Sequence, residues 1–182
     1  MRALTAASDW IYDYDRNNTV RYTLGRRGIK TLYCFGINPS TATPEKLDPT
    51  VNRVRQVAEG NHYDGWIMFN VYPKRATIFQ QLHPYRDDEI HLKNVEMIGK
   101  YVREDRNRSI DIWCAWGNLL LGKPYLSGCF SDILCAIEKE RETRWLCAGV
   151  NQNGTPKHPL YLRKDTKLIR FDMEAHTRKF LV

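Results

Sequence analysis

Residues 30–41 read KTLYCFGINPST, an apolar run that breaks at glycine, asparagine and proline and then ends in two hydroxyl side chains. The run over residues 30–37 has the length and nearly continuous apolar character of a central strand that is covered on both faces. A plain strand end needs one turn residue, whereas this one is followed by several side chains that are able to bind or orient a ligand. The stretch therefore predicts a core strand with a polar site at its end.

Similar apolar runs recur along the chain. Each has about the usual length of a strand, and each is bounded by polar or turn-forming residues. The predicted buried strands are residues 65–71, 110–116 and 143–150, with 167–171 as a fifth candidate and 20–24 as a strand at the sheet edge.

Helix-start signals lie between these strands. Asp48 followed by Pro49 is typical of an N-cap and the first helical position, and Val51, Val54, Val57 and Ala58 then fall on one helical face. A longer helix is predicted to open at Asp87 and Asp88. Two further helices are predicted, one capped by Ser131 or Asp132 and a short one over residues 117–121.

Strands that alternate with helices predict a parallel sheet between helical layers. With 182 residues the chain fits one domain. The predicted fold class is α/β, a three-layer α/β/α arrangement with a central, mainly parallel sheet of four to five strands. The predicted domain spans residues 1–182, with its core at about 30–172.

Composition limits the class of protein more than it identifies a function. The hydrophobic fraction of 42% is ordinary for a globular domain, and no apolar run approaches the ~20 residues that span a bilayer. The N-terminal residues have no apolar segment of a secretory signal, so a cytoplasmic location is expected. The net charge of +7 is compatible with a polyanionic partner such as nucleic acid.

Five cysteines occur without a CxxC pair, and the odd count argues against a disulfide framework. Three of them lie within strand-like apolar stretches, where a free cysteine behaves as a small hydrophobic residue. We therefore expect neither a metal site nor any other cofactor.

Polar and aromatic side chains follow the ends of successive predicted strands. Because ligands of open α/β sheets bind at the carboxyl ends of the strands, these side chains are expected to share one rim. They are Gly36, Ile37, Asn38, Pro39 and Ser40 after the first strand, Asn70, Tyr72, Lys74 and Arg75 at the second, Trp116, Gly117 and Asn118 at the third, and Lys157, His158, Tyr161 and Arg163 beyond the fourth.

Each position also has a purely structural interpretation. Asn38 before proline is a good turn former, and Asp48 is a good N-cap that is also able to polarise a water molecule. Asn70 is harder to explain structurally, because a buried amide without partners costs roughly 1–3 kcal/mol. His158 is also consistent with an ordinary residue of a surface loop, and Lys74 and Arg75 are consistent with residues of a solvated loop. The joint position at successive strand ends is what favours a functional site.

The motifs resemble those of the uracil-DNA glycosylase superfamily. GINPS (residues 36–40) is similar to its first motif, FNVYPKRAT (69–77) to the strand that ends in Asn, IWCAWGNLL (112–120) to its third-strand segment and KHPLYL (157–162) to its His-Pro motif. More closely, GINPSTA, LDPTVNR and HPLYLRKDT together resemble an uncharacterised family of small bacterial and phage proteins.

The resemblance implies roles for individual residues. Asn38 matches the residue that positions the attacking water, His158 the histidine that stabilises charge on the departing base, and Asn70 the residue that contacts the base. Tyr72, Trp116 or Tyr161 is expected to stack on a base flipped out of DNA. Asp48 joins Asn38 and His158 as a catalytic candidate, and the basic candidates for DNA contact are Lys74, Arg75, Lys157 and Arg163.

Three functions follow as hypotheses. The first is a DNA glycosylase-like hydrolase that cleaves a nucleobase–sugar bond, with a modified or uracil-type base in DNA as the candidate substrate. The second is an enzyme of nucleotide metabolism that holds phosphate through Lys74 and Arg75. The third is a non-catalytic module that binds nucleic acid or protein. DNA is the expected partner in the first case, a nucleotide in the second, and a membrane in none.

Overall fold

The computed structural model of the protein describes residues 10–181. Within that range the chain forms seven β-strands and four α-helices. They are β1 (Trp10–Tyr14), β2 (Arg21–Arg26), β3 (Thr31–Gly36), α1 (Pro49–Gly60), β4 (Gly65–Asn70), α2 (Asp88–Arg103), β5 (Ser109–Cys114), α3 (Leu126–Glu138), β6 (Glu142–Cys147), β7 (Ile169–Arg170) and α4 (Met173–Phe180).

All seven described strands belong to one sheet with the order β1-β2-β4-β3-β5-β6-β7. The central strands β4, β3, β5 and β6 are parallel to one another, and they correspond to the four predicted buried strands. β1, β2 and β7 add antiparallel strands at the two sides. The α/β class is therefore confirmed, but the sheet is mixed and larger than the predicted four to five strands.

The strand predicted at residues 20–24 is not an edge strand. It is β2, which pairs with β4 on one side and with β1 on the other. β1 was missed because WIYDY has no long apolar run and its residues are only partly buried. The predicted strand at 167–171 shortens to the two residues Ile169–Arg170, which are exposed at the opposite edge.

Helices cover both faces of the sheet. The buried face of α1 packs with Leu32 and Trp113 of the central strands, while α2 and α3 pack with Phe35 and Phe69 on the other face. The predicted caps are confirmed: Asp48 accepts a hydrogen bond from the Val51 N–H, and Asp87 accepts from the Glu89 and Ile90 N–H groups. Both helices therefore begin where the cap residues indicate.

The predicted start of α3 at Ser131 or Asp132 is wrong. The helix begins at Leu126, after Tyr125, and its buried face already includes Leu126, Cys129 and Phe130. The Ser131 hydroxyl donates to the Ser127 carbonyl within the helix at 3.1 Å, which is the bond that serine makes in a helix interior rather than at a cap. The short helix expected at residues 117–121 is a single 3₁₀ turn over Leu119–Leu121.

The longest described helix, α2, has 16 residues and a polar outer face. Across residues 10–181 no helix combines the length and apolar character needed to cross a bilayer.

Candidate functional site

A cleft of about 410 Å³ opens at the carboxyl ends of β3 and β4. We call it the strand-end cleft. Its walls are the loop after β3, the first turn of α1, the segment after β4 and the turn that follows His158. The predicted residues that line it are Gly36, Ile37, Asn38, Pro39, Ser40, Asp48, Asn70 and His158. Side chains from early and late in the chain therefore share one cavity, as ligand sites of open α/β sheets do.

Asn38 is held in one orientation by two backbone carbonyls. Its Nδ2 donates to the Ala76 oxygen at 2.8 Å and to the Pro39 oxygen at 3.1 Å. Rotating the amide by 180° would place Oδ1 against the same carbonyls, so the arrangement fixes which atom is which. Among the described residues Oδ1 has no hydrogen-bond donor, and Asn38 offers this acceptor to a ligand or water in the cleft.

Asp48 has a structural contact and a position in the cleft at the same time. One carboxylate oxygen, Oδ1, accepts from the Val51 N–H at 2.9 Å and caps α1. The second oxygen has no hydrogen-bond partner in the described part of the chain. Since Asp48 also lines the strand-end cleft, the two interpretations of this residue are compatible.

His158 lines the cleft and directly precedes the 3₁₀ turn over Pro159–Tyr161. Its Nδ1 accepts from the Leu160 N–H at 3.2 Å, so the neutral ring carries its proton on Nε2. Burial lowers the pKa of His158, and the nearby Asp48 carboxylate partly opposes that shift. The neutral ring is therefore the main form near pH 7, with Nε2–H as a donor for a ligand.

Asn70 lies at the floor of the strand-end cleft. It is the last residue of β4 and stands beside Gly36, the last residue of β3, in the parallel register. The side chain is fully buried, yet neither Nδ2 nor Oδ1 has a hydrogen-bond partner within residues 10–181. Buried amides are normally paired, so Asn70 is an unused donor and acceptor at the bottom of a cavity.

Arg21 was not among the candidates from the sequence, although it lines the same cleft. It is 1% exposed, which is unusual for an arginine. The sequence feature that could have indicated a buried arginine is its position directly before the strand-like YTL of β2. Thr41, Phe79 and Leu119 were also missed as cleft residues, because their loops carry no pattern that indicates which way they fold.

The family model described as "Protein of unknown function (DUF1643)" matches residues 21–160. The chain belongs to the DUF1643 family. The matched range runs from Arg21 to the turn after His158 and so includes every cleft residue named above. No curated protein and no solved structure matches the chain.

Two predicted stacking residues of this DUF1643 chain are core residues instead. Trp116 is fully buried and packs on Phe130, Phe171 and His176. Tyr72 is also fully buried, and its hydroxyl bonds His83 at 3.2 Å and the Asp87 N–H at 3.0 Å. Neither ring lines the strand-end cleft, because each fills space between the sheet and α2, α3 or α4.

The other predicted binding residues beyond β5 and β6 lie outside the cleft. Asn118 accepts hydrogen bonds from Asn151, Asn153 and Thr155 and so organises that loop. Tyr161 is 90% exposed. Gly117 does not line the cleft, but a β-carbon at its position would lie 3.2 Å from the Cβ of His158.

The four predicted DNA-contacting side chains have different environments. Arg75 is bound internally, to the carbonyl oxygens of Ser40 and Ala42 and to Tyr12 and Asn18. Arg163 pairs with Asp165 on the surface. Lys74 is half-buried, where its backbone bridges to Val20, and Lys157 is exposed. Arg75 is thus a loop-anchoring residue rather than a free cation.

Cysteines and metal ligands form no centre in the described range. Cys34, Cys114, Cys129 and Cys147 are buried free thiols, and burial raises the pKa of each. Within residues 10–181 no group of three or more His, Cys, Asp or Glu side chains is arranged to hold a metal ion.

Proposed function

We propose that this protein is a hydrolase of N-glycosidic bonds that acts on a nucleobase-bearing substrate, in the manner of a DNA glycosylase. The observation that carries the proposal is the meeting of Asn38, Asp48, His158 and Asn70 in the strand-end cleft. A parallel core with helices on both faces agrees with the three-layer fold that the resemblance to uracil-DNA glycosylases implies. The proposal extends that resemblance from motifs to a site.

The acceptors in the cleft suit the attacking water. The Asn38 Oδ1 and the Asp48 oxygen that does not cap α1 are both hydrogen-bond acceptors. Together they orient a water molecule, and the Asp48 carboxylate accepts its proton. The water oxygen forms a bond to the anomeric carbon of the sugar as the carbon–nitrogen bond to the base breaks. The proton passes to Asp48, and the bonding electrons leave with the base.

His158 suits the departing base. Cleavage leaves negative charge on the base, and a fixed donor aimed at that charge lowers the barrier by several kcal/mol. The bond from the Leu160 N–H to Nδ1 keeps the donor on Nε2. The neutral imidazole then stabilises the anionic base by donating a hydrogen bond from Nε2–H, and it keeps its proton while the base leaves.

Asn70 suits recognition of the base edge. A side-chain amide pairs its oxygen and its NH₂ with adjacent donor and acceptor groups, such as N3–H and O4 of a uracil-type ring. Within the described part of the chain, neither the oxygen nor the NH₂ group of Asn70 has a hydrogen-bond partner. A base that reached the floor of the cleft would supply the missing partners.

The direct test is release of a free base. The protein is incubated with single-stranded and duplex DNA that carry a panel of modified bases, including uracil, and released bases are identified by mass spectrometry. Asn38→Ala and His158→Ala are each expected to slow release by ~10²-fold or more without loss of folding. Asn17→Ala, in the exposed β1–β2 turn, is the control. Equal release by wild type and both cleft variants would remove this mechanism.

A second candidate is hydrolysis of the same bond in free nucleotides. It is favoured by the internal engagement of Arg75 and the ion pair of Arg163, which leave fewer cations for a DNA backbone. DNA binding that involves several phosphates weakens steeply with salt. A flat salt response together with base release from free nucleotides would favour this candidate over DNA.

A further inference from the structure

Arg21 is a buried cation whose charge is only partly offset by the nearby Asp48 carboxylate. Its side chain lines the strand-end cleft and is 1% exposed. Nη1 donates to the Ala42 oxygen at 3.3 Å, whereas Nε has no partner within the described residues. No ion pair of Arg21 is found in residues 10–181. Burying a charge is costly unless it is paired, so this position needs an explanation beyond packing.

A purely structural role for Arg21 is a weak explanation. The one side-chain hydrogen bond that Arg21 makes within residues 10–181 goes to a carbonyl that Arg75 already binds at 3.2 Å, and Arg75 also binds the Ser40 carbonyl. The loop after β3 is therefore anchored without Arg21. In addition, the two guanidinium groups repel each other: burial first, and then Arg75, lowers the pKa of Arg21 to about 10.

A bulge in the sheet directs Arg21 into the cleft. In the β1–β2 pairing Asp13 stands opposite Thr23, but Tyr14 stands opposite Arg21, so Tyr22 is an extra residue. Regular alternation would place Arg21 on the same face as Thr23, whose hydroxyl bonds Asp13 on the α2 side of the sheet. The extra residue turns Arg21 to the α1 side, where the cleft lies. Bulges that re-aim a side chain are common beside active sites.

The first turn of α1 adds positive potential at the same place. Pro49, Thr50 and Val51 line the cleft with Arg21. The Val51 N–H is bound by Asp48 and proline has no N–H, so among the described residues the Thr50 N–H is left without an acceptor, at a helix N-terminus that favours anions. Among the described residues Asp48 is the one carboxylate that lines this cleft, and its effect on the pKa of Arg21 is smaller than the opposing effects of burial and of Arg75.

We propose that Arg21 and the first turn of α1 bind a phosphate group of the substrate in the strand-end cleft. The identification of that substrate as a nucleotide rests on the proposed function. The phosphate is then the one next to the sugar whose glycosidic bond faces Asn38 and His158. It belongs either to a free nucleoside 5′-monophosphate or to the backbone of DNA with the base flipped out. The guanidinium supplies paired donors of the kind that phosphate oxygens accept.

The test measures binding of inorganic phosphate, which needs no catalysis. Thermal unfolding of the wild type is followed against phosphate concentration at constant ionic strength, because a ligand of the native state raises the melting temperature. Arg21→Met keeps the volume and removes the charge, and we expect its apparent phosphate affinity to fall at least tenfold. Arg103→Met, an exposed arginine on α2, is the charge-matched control and should follow the wild type.

The melting temperature of Arg21→Met in the absence of phosphate is an independent measurement. Removing a buried charge that forms no direct ion pair within the described residues is expected to leave the melting temperature of Arg21→Met unchanged or higher. Arg21→Lys retains charge but not the fork of donors, and we expect it to bind phosphate more weakly than the wild type does. Equal phosphate affinity in the wild type, Arg21→Met and Arg21→Lys would overturn the proposal, as would a wild type that binds no phosphate-bearing probe.

The source of the phosphate is resolved with matched probes. Deoxynucleoside 5′-monophosphates are compared with the same nucleosides, and a short single-stranded oligonucleotide is compared with both. Binding that requires the monophosphate indicates a free nucleotide, and tighter binding of the oligonucleotide indicates DNA. His158→Ala is expected to lose base release and to keep phosphate binding. A result that contradicts hydrolysis is therefore distinguishable from a result that contradicts phosphate binding at Arg21.

Discussion

Gly117 lies so close to His158 that a β-carbon placed on Gly117 would be 3.2 Å from the Cβ of His158. Gly117 also adopts a φ of +62°, in the left-handed region that residues with a side chain rarely occupy. A side chain at this position of the loop after β5 would therefore press on His158, although Gly117 itself does not line the cleft.

We expect Gly117→Ala to destabilise the protein by ~1–2 kcal/mol and to lower base release by displacing His158. Chemical denaturation and the base-release assay measure the two effects. Gly128→Ala is the matched control, because its added methyl group meets no atom within 4 Å and alanine is favoured in the interior of α3. An unperturbed reaction in Gly117→Ala would show that the added methyl group does not displace His158.

Asp48 allows its two roles to be separated by choice of substitution. Asp48→Asn keeps an oxygen for the Val51 N–H and removes the charge, so the cap and the free energy of unfolding should be preserved. Asp48→Ala should cost ~1 kcal/mol through loss of the cap. If the carboxylate accepts the proton of water, both variants lose base release. Full activity in Asp48→Asn would leave Asp48 as an N-cap only.

Asn70 should show opposite effects on stability and activity. Asn70→Leu replaces an unpaired buried amide with an apolar group of similar size, so we expect it to stabilise the ligand-free protein by ~1 kcal/mol while base release falls. Asn94→Leu is the comparison, because Asn94 donates to the Asn70 carbonyl at 2.9 Å and its removal should destabilise. A loss of stability in Asn70→Leu would indicate that its amide is paired in the native state.

His176 predicts a pH dependence of stability. The ring lies among Trp116, Phe171 and Phe180, and burial, together with Lys179, lowers its pKa from 6.5 to about 4. Between these two values the unfolded chain binds more protons than the native protein, so the free energy of unfolding should rise with pH across this window. Above pH 6.5 this contribution is complete.

His176→Phe tests that assignment by denaturation at several pH values. The variant should flatten the pH dependence between 4 and 6.5 and should gain stability at pH 7, since neither ring nitrogen of His176 has a partner in the described chain. His62→Ala, at an exposed histidine, should retain the slope of the wild type. The same slope in His176→Phe would assign the dependence to other groups.

Much of the fold was predictable from local patterns. The four central strands are recognisable in the sequence as apolar runs. Asp48 and Asp87 indicate helix starts because each side chain accepts a hydrogen bond from the first turn of the helix that follows. The flanking strands were not predictable in this way. β1 and β7 have mixed or exposed residues, and they are strands only because a neighbouring strand offers them backbone hydrogen bonds.

The candidate site was predictable in part for the same reason. Asn38, Asn70 and His158 follow strand ends that the sequence marks. Trp116 and Tyr72 follow them as well, yet they turn into the core. The direction of a side chain after a strand depends on the helices that pack over it, and no local pattern encodes that packing.

The sequence by itself determined the parallel strands, the caps of α1 and α2 and the set of polar residues at the strand ends, because periodicity and capping act over a few neighbouring residues. Only the tertiary structure decided which of those residues share a cavity. It also placed Arg21 there, because one extra residue in a strand moves the side chains beyond it to the other face of the sheet. The extra residue, Tyr22, is recognisable only from the pairing of β2 with β1.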